Sequence, residues 1–187
     1  VLGQEVNVTA TIRVAKEDVT IGDSVSGAAV VLEQDIPKEM QSDNLEAIKD
    51  GNLGKDSNNN GGTNKSVWTN FKNSNEGNDN TAEIIMGYDT QVVVGEIVIH
   101  FFEDSYSARY PDAGKTKIYV SETKNGPWTP VTAKEEIGTA KDSITPYTYK
   151  LDAPIPATFV KFEITNKDIQ LDGRKPCTGI TEIELKK

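Results

Sequence analysis

One cysteine, one histidine, two methionines and two tryptophans are all that this chain of 187 residues holds of those types. A lone Cys177 cannot close an internal disulfide. A secreted mammalian domain of this size usually carries bridges, so the chain is either cytosolic or exported by an organism that avoids cysteine. Abundant Asn, Thr and Lys beside almost no Cys or His fit a secreted or cell-wall-anchored, extracellular protein of a Gram-positive bacterium. Basic charge is also scarce: 20 Lys and Arg stand against 29 Asp and Glu, for a net charge of −9. That balance excludes a nucleic-acid partner, which needs clustered cations, and it excludes electrostatic docking on acidic membranes. No apolar run approaches the roughly 20 residues of a membrane span, so no membrane insertion is expected, and no signal peptide is visible. The length suits one domain with a short addition. A start on VLGQEV rather than Met marks the sequence as an expected piece of a longer chain.

The recognisable catalytic patterns are missing as well. There is no GxSxG, HExxH, P-loop or GxGxxG. His100, at the end of an apolar run, has no partner base or nucleophile beside it and reads as a hydrogen-bonded strand-end residue. Cys177, in KPCTGI, reads as a buried small apolar residue. Glu103 and Asp104 are adjacent in an extended segment, so their side chains diverge and poorly suit two carboxylates flanking a sugar. A non-enzyme is expected.

What the sequence does hold is strands. VNVTATIRV (6–14) alternates apolar and polar residues, as a half-buried strand does. Further strands are expected at 25–32, 82–86, 91–102, 115–121, 128–131, 147–151, 158–164 and 179–185, with one helical turn at 46–50. Short strands joined by Gly, Pro, Asn and Asp turns give an all-β, antiparallel β-sandwich. Trp68 and Trp128, each followed by Thr in a strand-like context, are read as core.

Two loops stand out. The stretch 47–71, AIKDGNLGKDSNNNGGTNKSVWTNF, is too polar for core, and its oxygen-rich side chains suit either a mobile surface loop or a hard cation such as calcium. The segment 102–114, FEDSYSARYPDAG, joins two strands and carries Tyr106, Arg109 and Tyr110. Aromatic faces stack on the C–H face of a sugar while polar groups bond its hydroxyls, so these three are candidate carbohydrate-binding residues, with His100, Asn73 and Lys141 as further candidates. The alternative is that one tyrosine anchors the loop while Arg109 pairs with Asp104 or Asp112.

Asp50, Gly51 and Asn52, followed by Ser66 two residues before Trp68, resemble the Asp-Gly-Asn … Thr-x-Trp opening of the discoidin-like, coagulation factor 5/8 type C superfamily. VVVGEIVIHFF, KTKIYVSETKNGPWTPV and ATFVKFEITN…CTGITEIEL resemble its middle and closing strands. The resemblance covers about residues 25–187 and implies a discoidin-like jelly roll over 23–187. Residues 1–22 are similar to the terminal strand and linker of a preceding Ig-like module. Bacterial members of the superfamily include carbohydrate-binding modules of family 32 and its relatives, attached to large glycoside hydrolases. The type that binds galactose and N-acetyllactosamine in surface β-galactosidases, family 71, is the most similar. The resemblance thus implies a non-catalytic module that recognises galactose-terminated glycans, such as lactose-like β-galactosides, and targets an attached hydrolase beside other modules of the chain. A protein-adhesion or spacer module with no glycan site is the alternative. The family also implies a structural calcium. Carried over by position, its ligands are Ile48, Asp50, Asn52, Ser66, Thr181 and Glu182, with Asp56 brought in by the insert at 53–65.

Overall fold

The computed structural model describes residues 29–33, 45–51, 53, 67–71, 81–105, 107–171 and 173–187, with the backbone alone for 29–33 and 45–46. The expected strand at 6–14, and with it the assignment of 1–22 to a preceding module, lies outside the described residues.

Among the described residues eight strands are hydrogen-bonded in the antiparallel sense throughout: β1 Ala29–Glu33, β2 Trp68–Thr69, β3 Thr81–Phe102, β4 Thr116–Ser121, β5 Thr129–Val131, β6 Ala133–Ile137, β7 Ile144–Thr165 and β8 Gly179–Lys186. A 3₁₀ turn, Leu45–Lys49, precedes β2 and packs on β8.

The runs 82–86 and 91–102 are not two strands but one, β3, and 147–151 and 158–164 are likewise one strand, β7. Each has 22 residues. Fully extended, such a strand would reach about 70 Å at roughly 3.3 Å per residue, far beyond a domain whose radius of gyration is roughly 16 Å. Both strands therefore bend. Their mutual register slips between Gly87 and Val92 and again between Val94 and Glu96, and Pro154 and Pro156 sit opposite in β7, where proline withholds a ladder donor. Gly95 is required at the bend, because a Cβ there would lie 2.9 Å from the Lys187 backbone.

The bend makes the sandwich. One layer contains β1, the first half of β3, the second half of β7, β4 and β5. The other contains β2, β8, the second half of β3, the first half of β7 and β6. Ile84 and Met86 from one layer face Ile97, Ile99 and Phe101 from the other, with Val160, Phe162 and Ile164 beside Tyr147 and Tyr149, all in one buried cluster. Trp68 is fully buried in that core, as expected. Trp128 is not: it is half-buried just before β5, with the Lys161 ammonium 5.3 Å from its ring. Its neighbour pattern in sequence could not separate the two faces of an edge strand.

At the end opposite the bend, the loops 103–115, 138–143 and 166–178 meet. A second buried cluster of Val67, Phe102, Ala108, Ile144 and Cys177, with Phe71 packed on it, lies beneath them. Cys177 is buried and forms no disulfide, as its sequence context indicates.

Candidate functional site

The opening segment and the closing strand are joined. β2 pairs with β8 through Trp68–Ile180 and Thr69–Gly179. Asn70 then continues the junction: its Oδ1 accepts the Thr178 N–H at 2.7 Å, and its amide donates to Asn166 Oδ1 at 3.2 Å. Asn166 Oδ1 also accepts the Thr178 hydroxyl at 2.7 Å, while its amide donates to Pro176 O at 3.1 Å. These groups are buried and mutually satisfied, which gives a polar clamp rather than a desolvation penalty.

Further along β8 the ladder slips: His100 faces Glu182, but Phe101 faces Ile180. Thr181 is therefore the extra residue of a β-bulge, which re-aims side chains. The consequence is visible in the core. Ile180, Ile183 and Leu185 all point inward, which unbroken alternation would forbid for 180 and 183. Glu182 and His100 are left on the outer face, both largely buried. Glu182 Oε2 accepts the Gly51 N–H at 2.9 Å, Thr181 donates its hydroxyl to His100 O at 3.3 Å, and His100 Nε2 lies 2.5 Å from Glu184 Oε1. Gly51 reaches Glu182 in a left-handed conformation, φ 76°, where glycine carries no steric cost.

Of the expected calcium ligands, Ile48, Asp50, Thr181 and Glu182 are described, while Asn52, Asp56 and Ser66 lie outside the described residues. The donor types are those a hard cation takes: the buried Glu182 carboxylate and the segment Ile48–Gly51, at the end of the Leu45–Lys49 turn, are brought together from opposite ends of the sequence. No group of three or more His, Cys, Asp or Glu side chains suited to a metal occurs among the described residues.

The candidate sugar residues fall at the open end. Asn73 and Tyr106 lie outside the described residues. Arg109 sits within the 103–115 loop, which Asp104 organises: its Oδ1 accepts the N–H groups of Ser107 and Ala108 at 2.7 and 2.8 Å. The Arg109 guanidinium bonds the carbonyls of Asp104 and Ala108 and lies 3.7 Å from Asp104 Oδ1. It thus meets Asp104 and not Asp112, which faces Lys167 at 3.7 Å. Tyr110 packs against Tyr147, with ring centroids 6.4 Å apart, and carries the Lys167 ammonium 4.7 Å from its ring centre. Lys141 stands exposed in the β6–β7 hairpin, where Asp142 and Ser143 both take positive φ. The loops interlock: Arg109 N and Cys177 N donate to Cys177 O and Ser107 O, and Glu103 N donates to Ser143 O. The structure therefore brings Arg109, Tyr110 and Lys141 to one end of the sandwich. His100 lies two residues before the end of β3, on the outer face beside Glu182 and Glu184.

Lys167 is a residue of this end that sequence reasoning missed. Its only signal was a lysine two positions past the end of a strand, which says nothing about a tyrosine far earlier in the chain.

No protein-family model matches the sequence, and no curated protein matches it. Solved structures do resemble it. An F5/8 type C domain of a Bacteroides fragilis protein superposes with a TM-score of 0.59 at 14% identity, over 88% of this chain and 95% of that one. A structure from the Streptococcus pneumoniae beta-galactosidase BgaA gives 0.58 at 15%, over 87% and 96%. The family 32 carbohydrate-binding module of Clostridium perfringens NanJ, in complex with galactose, gives 0.54 at 16%, over 88% and 98%. These likenesses establish the fold: an all-β, discoidin-like sandwich shared with F5/8 type C and family 32 modules. No helix among the described residues is long and apolar enough to cross a membrane.

Proposed function

We propose that this chain is a non-catalytic carbohydrate-binding module of the F5/8 type C kind, which holds glycans at the open loop end. The observation that carries the reading is the construction of that end: loops from three parts of the chain are locked by backbone hydrogen bonds over a small buried cluster. Rigid loops on a rigid scaffold lower the ordering cost of binding a flexible, heavily hydrated ligand. Arg109 is fixed through Nη1 to two carbonyls, and a guanidinium has further N–H donors to offer sugar oxygens. Tyr110, Tyr106, Asn73, Lys141 and His100 complete the candidate set.

The finer reading is a galactose-type glycan, supported by the shared fold with the NanJ module, which was solved with galactose. The likeness to part of a beta-galactosidase supports attachment to a glycoside hydrolase in an extracellular Gram-positive setting. A structural calcium would be held by Asp50, Thr181, Glu182 and the backbone at Ile48, with Asn52, Asp56 and Ser66 as further ligands, and would supply electrostatic closure between the opening turn and β8.

A shallow site of this kind gives about −4 to −8 kcal/mol, millimolar to micromolar affinity. A glycan array followed by calorimetry with lactose and N-acetyllactosamine tests the reading. Binding of β-galactosides is expected. A folded protein that binds no glycan overturns it, and binding confined to other sugars overturns only the galactose assignment.

A further inference from the structure

Beside the loop end, β4, β5, β6 and β7, with Gly114 of the 103–115 loop, line an open cavity of 240 Å³ at the side of the sandwich. Glu135 of β6 lines it, at a strand position whose side chain turns inward. The carboxyl is held in place, because Oε2 accepts the Gly114 N–H at 2.7 Å. Oε1 is buried and has no hydrogen-bond partner among the described residues. Lys134 and Lys150 do not help it, since both are engaged with Glu136, each at 2.8 Å. A buried acceptor with no donor costs stability unless something else donates to it.

The rest of the wall says what that donor is. Thr116 Oγ1 accepts the Tyr149 hydroxyl at 2.9 Å and keeps its own proton to donate. Ile118 and Val131 supply apolar surface. A free acceptor and a hydroxyl over an aliphatic wall suit an uncharged polyol, whose hydroxyls both donate and accept and whose C–H face is apolar. The volume lies below the roughly 300–1,000 Å³ of ordinary ligand pockets, so a single ring fits and an oligosaccharide does not.

We propose that this lateral cavity is a second ligand site, separate from the loop end, which takes a hydroxyl-rich molecule of monosaccharide size through a hydrogen bond to Glu135 Oε1. The test is amide-resolved NMR titration of the whole chain with galactose, glucose and N-acetylgalactosamine up to tens of millimolar, the range of weak single-ring binding. The Thr116 and Ala133 amides report the cavity, and Arg109 and Gly173 report the loop end. Saturable shifts at the cavity amides are expected with at least one sugar. Glu135→Gln is the matched variant: its amide oxygen keeps the Gly114 bond while its NH₂ replaces the free acceptor with a donor. It should weaken the cavity response by about tenfold or more and leave the loop-end response unchanged. Tyr110→Ala should do the reverse, so the two sites fail separately. The proposal is overturned if no sugar gives saturable shifts at the cavity amides, which means that water alone fills it. It is equally overturned if methylamine saturates the cavity while the sugars do not, or if Glu135→Gln binds as the parent does and is folded.

Discussion

The N–H of Gly51 donates to Oε2 of Glu182 at 2.9 Å, across 131 positions of sequence. One side chain thus ties the start of the sandwich to its last strand. Glu182→Ala leaves the Gly51 donor without that acceptor and should cost about 2 kcal/mol, the typical range for a hydrogen bond to a charged group. That corresponds to roughly 4–8 °C in Tm for a domain of this size. Calorimetric or CD melting checks it.

Glu182→Gln separates the hydrogen bond from the proposed calcium. It keeps an acceptor for Gly51 but removes the charge that a hard cation needs. In the parent protein, a chelator should lower Tm and added calcium restore it, by an amount set by concentration over Kd. The glutamine variant should melt at one temperature with or without the ion. A parent protein whose melting ignores both chelator and calcium means that Asp50, Thr181 and Glu182 form no ion site.

Asn166 is the hub of the polar clamp, bonded to Asn70, Thr178 and Pro176. Asn166→Ala strands several buried groups at once and should cost about 2–3 kcal/mol. Urea unfolding should show a lower midpoint with an unchanged slope, because the surface exposed on unfolding does not change. A variant within about 0.5 kcal/mol of the parent would mean that the three partners find new bonds among themselves.

The alternation of strands such as 115–121 was legible because one face is wetter than the other, while 179–185 was legible by its apolar residues although the bulge at Thr181 breaks its alternation, and the result was a correct fold class. The long strands were not. The break at 87–90, Gly-Tyr-Asp-Thr, has the composition of a turn, yet β7 runs alongside it with a matching irregularity, so the chain bends instead of reversing. Nothing local distinguishes the two outcomes. β6 was invisible for another reason: Glu135 occupies the inward position and the large apolar Ile137 is 47% exposed, which inverts the expected pattern. The site was legible only as a set of loops. Arg109 and Tyr110 were identifiable by residue type, but their partners, Asp104 O, Ala108 O and Lys167, are set by the backbone course of a loop and by a tertiary neighbour.

Tyr147 sets an alkaline limit. Its ring is buried edge-on against Phe101, with centroids 4.8 Å apart, and its hydroxyl donates to Pro111 O at 2.7 Å. Burial, helped by the nearby Glu135 carboxylate, pushes the hydroxyl from 10.0 up to about 12. The unfolded chain therefore loses this proton first. The contribution is fully present below pH 10 and is lost as pH rises from 10 toward 12, amounting to about 2–3 kcal/mol in all. Tyr147→Phe keeps the ring contact and removes both the titration and the bond to Pro111. It should be about 1–2 kcal/mol less stable at pH 8, with the gap closing as pH rises past 10. Urea titrations at successive pH values check this, and a constant gap would exclude Tyr147 as the responsible group.

Asp104 offers the sharpest separation of site from scaffold. Its carboxylate caps Ser107 and Ala108, and its carbonyl receives the Arg109 guanidinium. Asp104→Ala removes the cap and with it the reason for the loop to hold Arg109 in one place. The loop is at the surface, so global stability should fall by only about 1 kcal/mol. Affinity for a β-galactoside should fall by about tenfold or more, because a mobile arginine must be ordered at the moment of binding. Calorimetry with lactose, run beside a melting curve, gives both numbers. Asp104→Asn, which retains an oxygen acceptor for the two N–H groups, should recover most of the lost affinity. If alanine and asparagine bind lactose as well as the parent does, the ordered conformation of Arg109 plays no part in recognition, and the sugar contacts lie on the other loops of this end.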